Sequence, residues 1–218
     1  MTFAVVLVGG TVPDRQLLDG VAEAVRIIAA DGGVRIARTH GLPIDVVVGD
    51  LDSASASDLA WARAEGATIV QFPPDKDQTD LELALDHADE SGVDRIVAVG
   101  VDGGRLDHEL GNWSALCAKR RALVEVRAAS GAAWVLHADG HPRIELRGSE
   151  GDLVSLLPRL GAVSGVTTTG LRWPLTDATL SATSTHGVSN EFTGSEIAVE
   201  VGEGTLMVVR PTTFALDA

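Results

Sequence analysis

The chain has 218 residues, 45% hydrophobic and 22% charged, the balance of a folded globular protein with length enough for one large domain or two small ones. Seventeen Lys and Arg against 31 Asp and Glu leave a formal net charge of −14, which lacks the basic surface needed to displace counterions from phosphates and excludes nucleic acid as the main partner. The single cysteine, Cys117, leaves no intrachain disulfide and no Cys-rich zinc module, and no apolar stretch reaches the roughly 18 residues of a membrane helix.

The chain opens on an apolar run, residues 3–8, that reads as a buried strand ending in Gly9-Gly10. With no basic stretch or cleavage site there, no signal peptide is expected, and the expected location is cytoplasmic with no membrane partner. Further apolar runs at 25–30, 44–48, 68–72 and 95–99 end in Asp31-Gly32-Gly33, Gly49-Asp50, Pro73-Pro74 and Gly100. Between them lie helical patterns at 14–24, 34–40, 57–65, 80–88 and 106–121. Apolar strands alternating with helices predict an α/β fold, a mostly parallel sheet with helices on both faces. The strongest helix is 80–88, where Leu81, Ala84, Leu85 and Ala88 recur at helical spacing and Thr79 stands three residues before Glu82 as in a capping box.

From about residue 138 the rhythm changes. Runs at 143–147, 152–157, 165–169, 197–201 and 206–210 are short, rich in Val, Ile, Leu and Thr, and separated by Gly, Pro and Ser. No helical period intervenes, so this half reads as an antiparallel β-sandwich or barrel. The Gly and Pro of 137–142 place the boundary between domains 1–137 and 138–218.

Ligands of an open parallel sheet bind beyond the carboxyl ends of its strands. Nearly every such end here carries Asp or Gly: Asp31-Gly32-Gly33, Asp50-Leu51-Asp52-Ser53, Asp75-Lys76-Asp77-Gln78-Thr79-Asp80 and Asp102-Gly103-Gly104-Arg105-Leu106-Asp107. Carboxylates gathered on one edge repel unless a cation joins them, and oxygen donors suit Mg²⁺. In extended chain, Asp50 and Asp52 point the same way and can reach one ion. Asp80 in the first turn of its helix is favoured as an anion by the helix dipole. The chain has two lysines, Lys76 and Lys119, neither in a Gly-Lys-Ser/Thr context, so a Walker-type phosphate loop is excluded, as is a G-x-G-x-x-G turn after the first strand. Phosphate would be held by Mg²⁺, by amides of the Gly-Gly turns and by Arg105, whose guanidinium binds oxyanions bidentately. In the β half, Trp173 precedes Pro174 and is expected at a sheet edge, where an indole can stack on a flat ring or attract a cation, while Trp61, Trp113 and Trp134 are expected in cores.

These elements, with Gly170-Leu171-Arg172-Trp173-Pro174-Leu175 and Gly187-Val188-Ser189-Asn190-Glu191-Phe192, occur in the order found in the thiamine pyrophosphokinases, which the chain resembles over most of its length. The resemblance implies an ATP-binding catalytic domain over 1–137 and a thiamine-binding β-sandwich over 138–218. It implies transfer of the β,γ-pyrophosphoryl group of ATP to the hydroxyl of thiamine, giving thiamine diphosphate and AMP. It also implies a homodimer whose subunits share the thiamine site. Carried over, Asp50, Asp52 and Asp80 are the Mg²⁺ ligands, and Asp31, Gly32, Gly33, Asp77, Gln78, Thr79, Gly103, Gly104 and Arg105 belong to the ATP site. Trp173, Ser189 and Asn190 are the implied thiamine contacts, and either Asp107 or a metal-holding carboxylate takes the hydroxyl proton. Two other functions use the same residues: Mg-ATP chemistry on another acceptor such as a pterin alcohol, and a catalytically silent nucleotide-binding protein.

Overall fold

The computed structural model describes residues 1–103 and 105–212, and contacts divide the chain into two units, Met1–Ala129 and Ser130–Ala218. Gly104, expected in the ATP site, lies outside the described residues.

The first unit holds a parallel sheet of β1 (Phe3–Leu7), β2 (Arg26–Ala30), β3 (Val46–Gly49), β4 (Thr68–Gln71), β5 (Arg95–Val99) and β6 (Leu123–Ala128). Their order is β4-β3-β2-β1-β5-β6, every neighbouring pair parallel. Residues Ala4–Leu7 of β1 are fully buried, which requires cover on both faces. On one face Val5, Leu7, Ile27, Ala29, Val47, Val97 and Val99 form a core with Val34, Ile36 and Ala37 of α1 (Val34–His40) and Ala62 of α2 (Ala56–Ala64). The alternate strand residues point the other way, where α3 (Asp80–Glu90) packs Leu81, Ala84, Leu85 and Ala88 against the sheet and touches α4 (Leu106–Leu116). The expected α/β arrangement is therefore borne out.

Helix α3 starts where its sequence dictates. Thr79 Oγ1 accepts the Glu82 amide at 3.2 Å and the Glu82 carboxylate accepts the Thr79 amide at 2.9 Å, satisfying two orphan donors of the first turn. Its apolar stripe supplies the larger share of its stability. Leu85 is fully buried, so Leu85→Ala is expected to destabilise the protein by about 2–5 kcal/mol, readable as a lower midpoint in urea unfolding.

Three expectations for this unit change. Residues 14–24 form no continuous helix but two 3-10 turns, Arg15–Leu18 and Val21–Glu23, because Asp19 is extended and Gly20 left-handed. Helix α4 ends at Leu116 rather than near 121, its carboxyl end held by the Arg120 guanidinium, which donates to the Ala115 carbonyl at 2.8 Å. Strand β6 was not expected, since Glu125 and Arg127 interrupt its apolar pattern. The structure buries Glu125 and pairs its carboxylate with Arg95 at 2.9 Å and Arg127 at 2.8 Å. Trp61 packs half-buried against the core, Trp113 and, in the second unit, Trp134 are half-buried, and Cys117 is fully buried as a small apolar side chain.

The second unit is an antiparallel β region of β7 (Gly131–His137), β8 (Arg143–Arg147), β9 (Leu153–Thr169), β10 (Ala178–Leu180), β11 (Asn190–Glu191), β12 (Glu196–Glu200) and β13 (Glu203–Pro211). Strand β13 pairs with β7 and with the first half of β9, whereas the second half of β9 pairs with β12, which pairs with β8. The two expected strands at 152–157 and 165–169 are thus one long strand that serves both ladders. It turns at Leu160, where φ is 59°, and its register against β13 shifts between Glu203 and Thr205. Phe192, Leu156, Ile197, Leu180 and Leu206 fill the core of this unit.

Candidate active site

In the first unit the loops leaving the carboxyl ends of β1 to β5 enclose a cleft of about 1060 Å³. Strand β1 is flanked by β2 on one side and β5 on the other, so the chain reverses its direction of travel across the sheet there, the place where such sheets bind ligands. Gly10 permits the close approach of the β1 and β5 loops. A Cβ at that position would strike the carbonyl oxygens of Gly100 and Asp102, and the Gly10 and Thr11 amides donate to those same oxygens at 3.1 Å each.

Asp31 stands at the end of β2 and is buried. Its two carboxylate oxygens accept the backbone amides of Ser53 and Ala54, each at 3.1 Å, so it pins the loop after β3 to the loop after β2. Burial pushes its pKa above the ordinary value, and the nearby Asp80 and Asp52 charges add to this against the lowering effect of the Ser53 bonds.

Asp50 and Asp52 converge, though not through an extended chain. Leu51 between them is left-handed, with φ of 67°, and the Asp52 amide donates to Asp50 Oδ1 at 3.3 Å. The tight turn, rather than strand alternation, brings the two carboxylates together. Carboxylate oxygens of Asp31, Asp50 and Asp52 lie within 4.8 Å of one another. Three hard anionic oxygens at that spacing fit a divalent cation such as Mg²⁺.

Asp80 lies outside that trio but is tied to it. The Asp50 amide donates to Asp80 Oδ1 at 3.3 Å, and Gly49 makes room, since a Cβ there would fall 2.8 Å from that oxygen. Lys76 Nζ sits between the two carboxylates, 2.7 Å from Asp50 Oδ2 and 3.0 Å from Asp80 Oδ1. The Lys76 hydrogen bond holds the Asp50 carboxyl below its ordinary range, outweighing partial burial. Burial of the Lys76 ammonium opposes its charge, but the bonds to Asp50 and Asp80 prevail and raise its pKa.

The remaining expected ATP-site residues divide. Gly32, Gln78, Thr79, Gly103 and Arg105 line the cleft, as does Asp107. Gln78 Nε2 is held by Asp86 at 2.9 Å, and Thr79 is engaged in capping α3. Gly33 is buried beside the Leu7 carbonyl, and Asp77 is exposed; neither is among the cleft-lining residues. Arg105 forms a two-bond pair with Asp107, at 3.1 and 2.6 Å, with both side chains largely exposed. That pair raises the Arg105 pKa and lowers that of Asp107. Sequence reading missed Lys76, Arg35 and Asn112 as cleft residues. For Lys76 a signal existed: a lone lysine flanked by Asp75 and Asp77 in a loop already marked by its carboxylates.

In the second unit, Trp173 is 53% exposed, and the Arg172 guanidinium lies 4.9 Å from its ring centroid while bonding Glu191 at 2.8 Å. Asn190 is buried and spends its side chain on Trp173. It donates to the Trp173 carbonyl at 2.7 Å and accepts the Trp173 and Glu191 amides at 3.1 and 2.9 Å. Ser189 is exposed and left-handed, its amide donating to Ser155 Oγ at 3.0 Å.

Comparison with known proteins matches residues 19–127 to the family model "Thiamin pyrophosphokinase, catalytic domain" and residues 142–206 to "Thiamin pyrophosphokinase, vitamin B1 binding domain". The chain is 29% identical over 172 residues to the thiamine pyrophosphokinase of Bacillus subtilis, covering 78% of this chain and 79% of that one. The crystal structure of a thiamine pyrophosphokinase from Bacillus subtilis superposes with a TM-score of 0.81 at 27% identity, covering 98% of this chain and all of the other. The enzyme from Geobacillus thermodenitrificans gives 0.77 at 28% identity, with 99% of each chain covered. Motif order, fold and both domain models agree, and the chain belongs to the thiamine pyrophosphokinase family.

Proposed function

We propose that this protein transfers the β,γ-pyrophosphoryl group of Mg-ATP to the hydroxyl of thiamine, releasing thiamine diphosphate and AMP, and that it acts as a cytoplasmic homodimer, as its family resemblance implies. One observation carries the reaction: the carboxylates of Asp31 after β2, Asp50 and Asp52 after β3, and Asp80 at the start of α3 converge with Lys76 in a cleft that also presents Arg105. Displacement at a phosphorus that already bears negative charge depends on positioning and charge neutralisation more than on covalent help.

Asp50 and Asp52, with Asp80, would hold Mg²⁺, and Asp31 keeps the Asp50–Ser53 turn in place through its amide bonds. When bound, that ion neutralises charge on the phosphate oxygens. Gly9 and Gly32, which line the cleft, would offer their backbone amides to the same oxygens. Arg105 leaves Asp107 for the phosphates and offsets charge that develops in the transition state. Released from its partner, Asp107 regains basicity and accepts the thiamine hydroxyl proton. The acceptor's pyrimidine stacks on Trp173, whose backbone Asn190 locks, and the exposed Ser189 offers it a hydroxyl.

The test is product analysis. Purified protein with Mg-ATP and thiamine is expected to form AMP and thiamine diphosphate in equal amounts, resolved by chromatography. ADP with thiamine monophosphate would mean transfer of a single phosphoryl group and overturn the reading.

A further inference from the structure

Lys76 is the one side chain of loop 73–79 that is not exposed at the surface. Its ammonium lies between Asp50 and Asp80, and its side chain is only 12% exposed. Asp31 and Asp52 add two further carboxylates to the cluster, and among the described residues Lys76 is the cation ion-paired within it, offsetting part of its negative charge. A lysine suits a place it must also vacate, because its flexible four-carbon stem carries a compact charge that can swing without moving the backbone.

We propose that Lys76 is a resident counter-cation that occupies the Asp50–Asp80 position until Mg-ATP arrives, and that it weakens binding of a free divalent cation so that the metal enters together with the nucleotide. The inference rests on the reading above that these carboxylates take a divalent cation. When Mg-ATP enters, the ammonium exchanges two carboxylates for phosphate oxygens, and the divalent cation takes over the carboxylates it leaves. Without nucleotide there is no anion to receive it, so a metal ion must displace an ion pair that is already formed.

Mn²⁺ alone, titrated into nucleotide-free protein by calorimetry or electron paramagnetic resonance, tests this. Removing the competing positive charge with Lys76→Met should tighten Mn²⁺ binding by about tenfold or more, whereas Lys76→Arg, which keeps the charge, should stay near the wild-type value. In chelator, Lys76→Met should also melt lower than wild type, with Mn²⁺ restoring the loss. Should Lys76→Met not fold, as judged by circular dichroism, Lys76→Gln carries the same expectation. Equal or weaker Mn²⁺ binding by the neutral variants overturns the inference, as does equal tightening in Lys76→Arg. If the neutral variants bind Mn²⁺ no better while wild type forms thiamine diphosphate, the inference fails and the proposed reaction stands. Tightened binding in a protein that forms no thiamine diphosphate supports the counter-cation role and refutes the reaction.

Discussion

Asp50→Asn is expected to abolish thiamine-dependent AMP formation, with kcat/KM falling by at least about 10³-fold, because on the proposed function it removes a charge that would hold the metal where phosphate charge must be neutralised. Asp50 is the hub of the cleft. Its carboxylate accepts the Asp52 amide and the Lys76 ammonium, and its own amide donates to Asp80. The amide of Asn keeps the shape and can still accept one hydrogen bond, so the turn around Leu51 should survive and circular dichroism should be unchanged. The loss is therefore chemical rather than structural. Steady-state rates with Mg-ATP and thiamine measure it, and near-normal turnover would show that Asp50 does not hold the metal.

The second large effect is expected at Arg105. Arg105→Ala should lower kcat by about 10²–10³-fold, the usual consequence of removing one preorganised donor from a developing oxyanion. Its guanidinium forms an exposed pair with Asp107, which screening by solvent renders weak and easily exchanged for phosphate. Arg105→Lys should recover little, since an ammonium lacks the planar two-bond fork that the Asp107 pairing already displays. Measuring kcat and KM for ATP separately decides the role. A change in KM alone would assign Arg105 to ground-state binding, and no change in either would reduce it to a surface ion pair.

Asp31 and Asn190 both engage neighbouring backbone with their side chains. The resemblance implies a place in the ATP site for Asp31 and a thiamine contact for Asn190. Asp31 spends both oxygens on the Ser53 and Ala54 amides, and Asn190 spends its amide on the backbone of Trp173 and Glu191. Asp31 thereby fixes the turn that follows Asp52, and Asn190 fixes the backbone of Trp173. Their motifs reveal that a polar group is needed there, not whether it points at substrate or at backbone.

Local pattern alone determined much of this protein. Apolar runs closed by Asp, Gly or Pro mark β1 to β5 and place the carboxylates that follow them on one edge, and the stripe of Leu81, Ala84, Leu85 and Ala88 behind Thr79 specifies α3 down to its first turn. Each depends on residues a few positions apart, whose geometry is set by backbone periodicity and capping. Tertiary structure decided the rest. Strand β6 is a strand because Arg95, 30 positions away, neutralises Glu125 inside it. The two runs of β9 are one strand because β13 and β12 pair with its two halves. Lys76 became part of the site only when the sheet set β4's loop beside β3's, bringing its ammonium to Asp50 across 26 positions. Charge pairing acts over a few ångströms of space, and which charges share that space is settled by the order of strands in the sheet, a property that no short stretch of sequence contains.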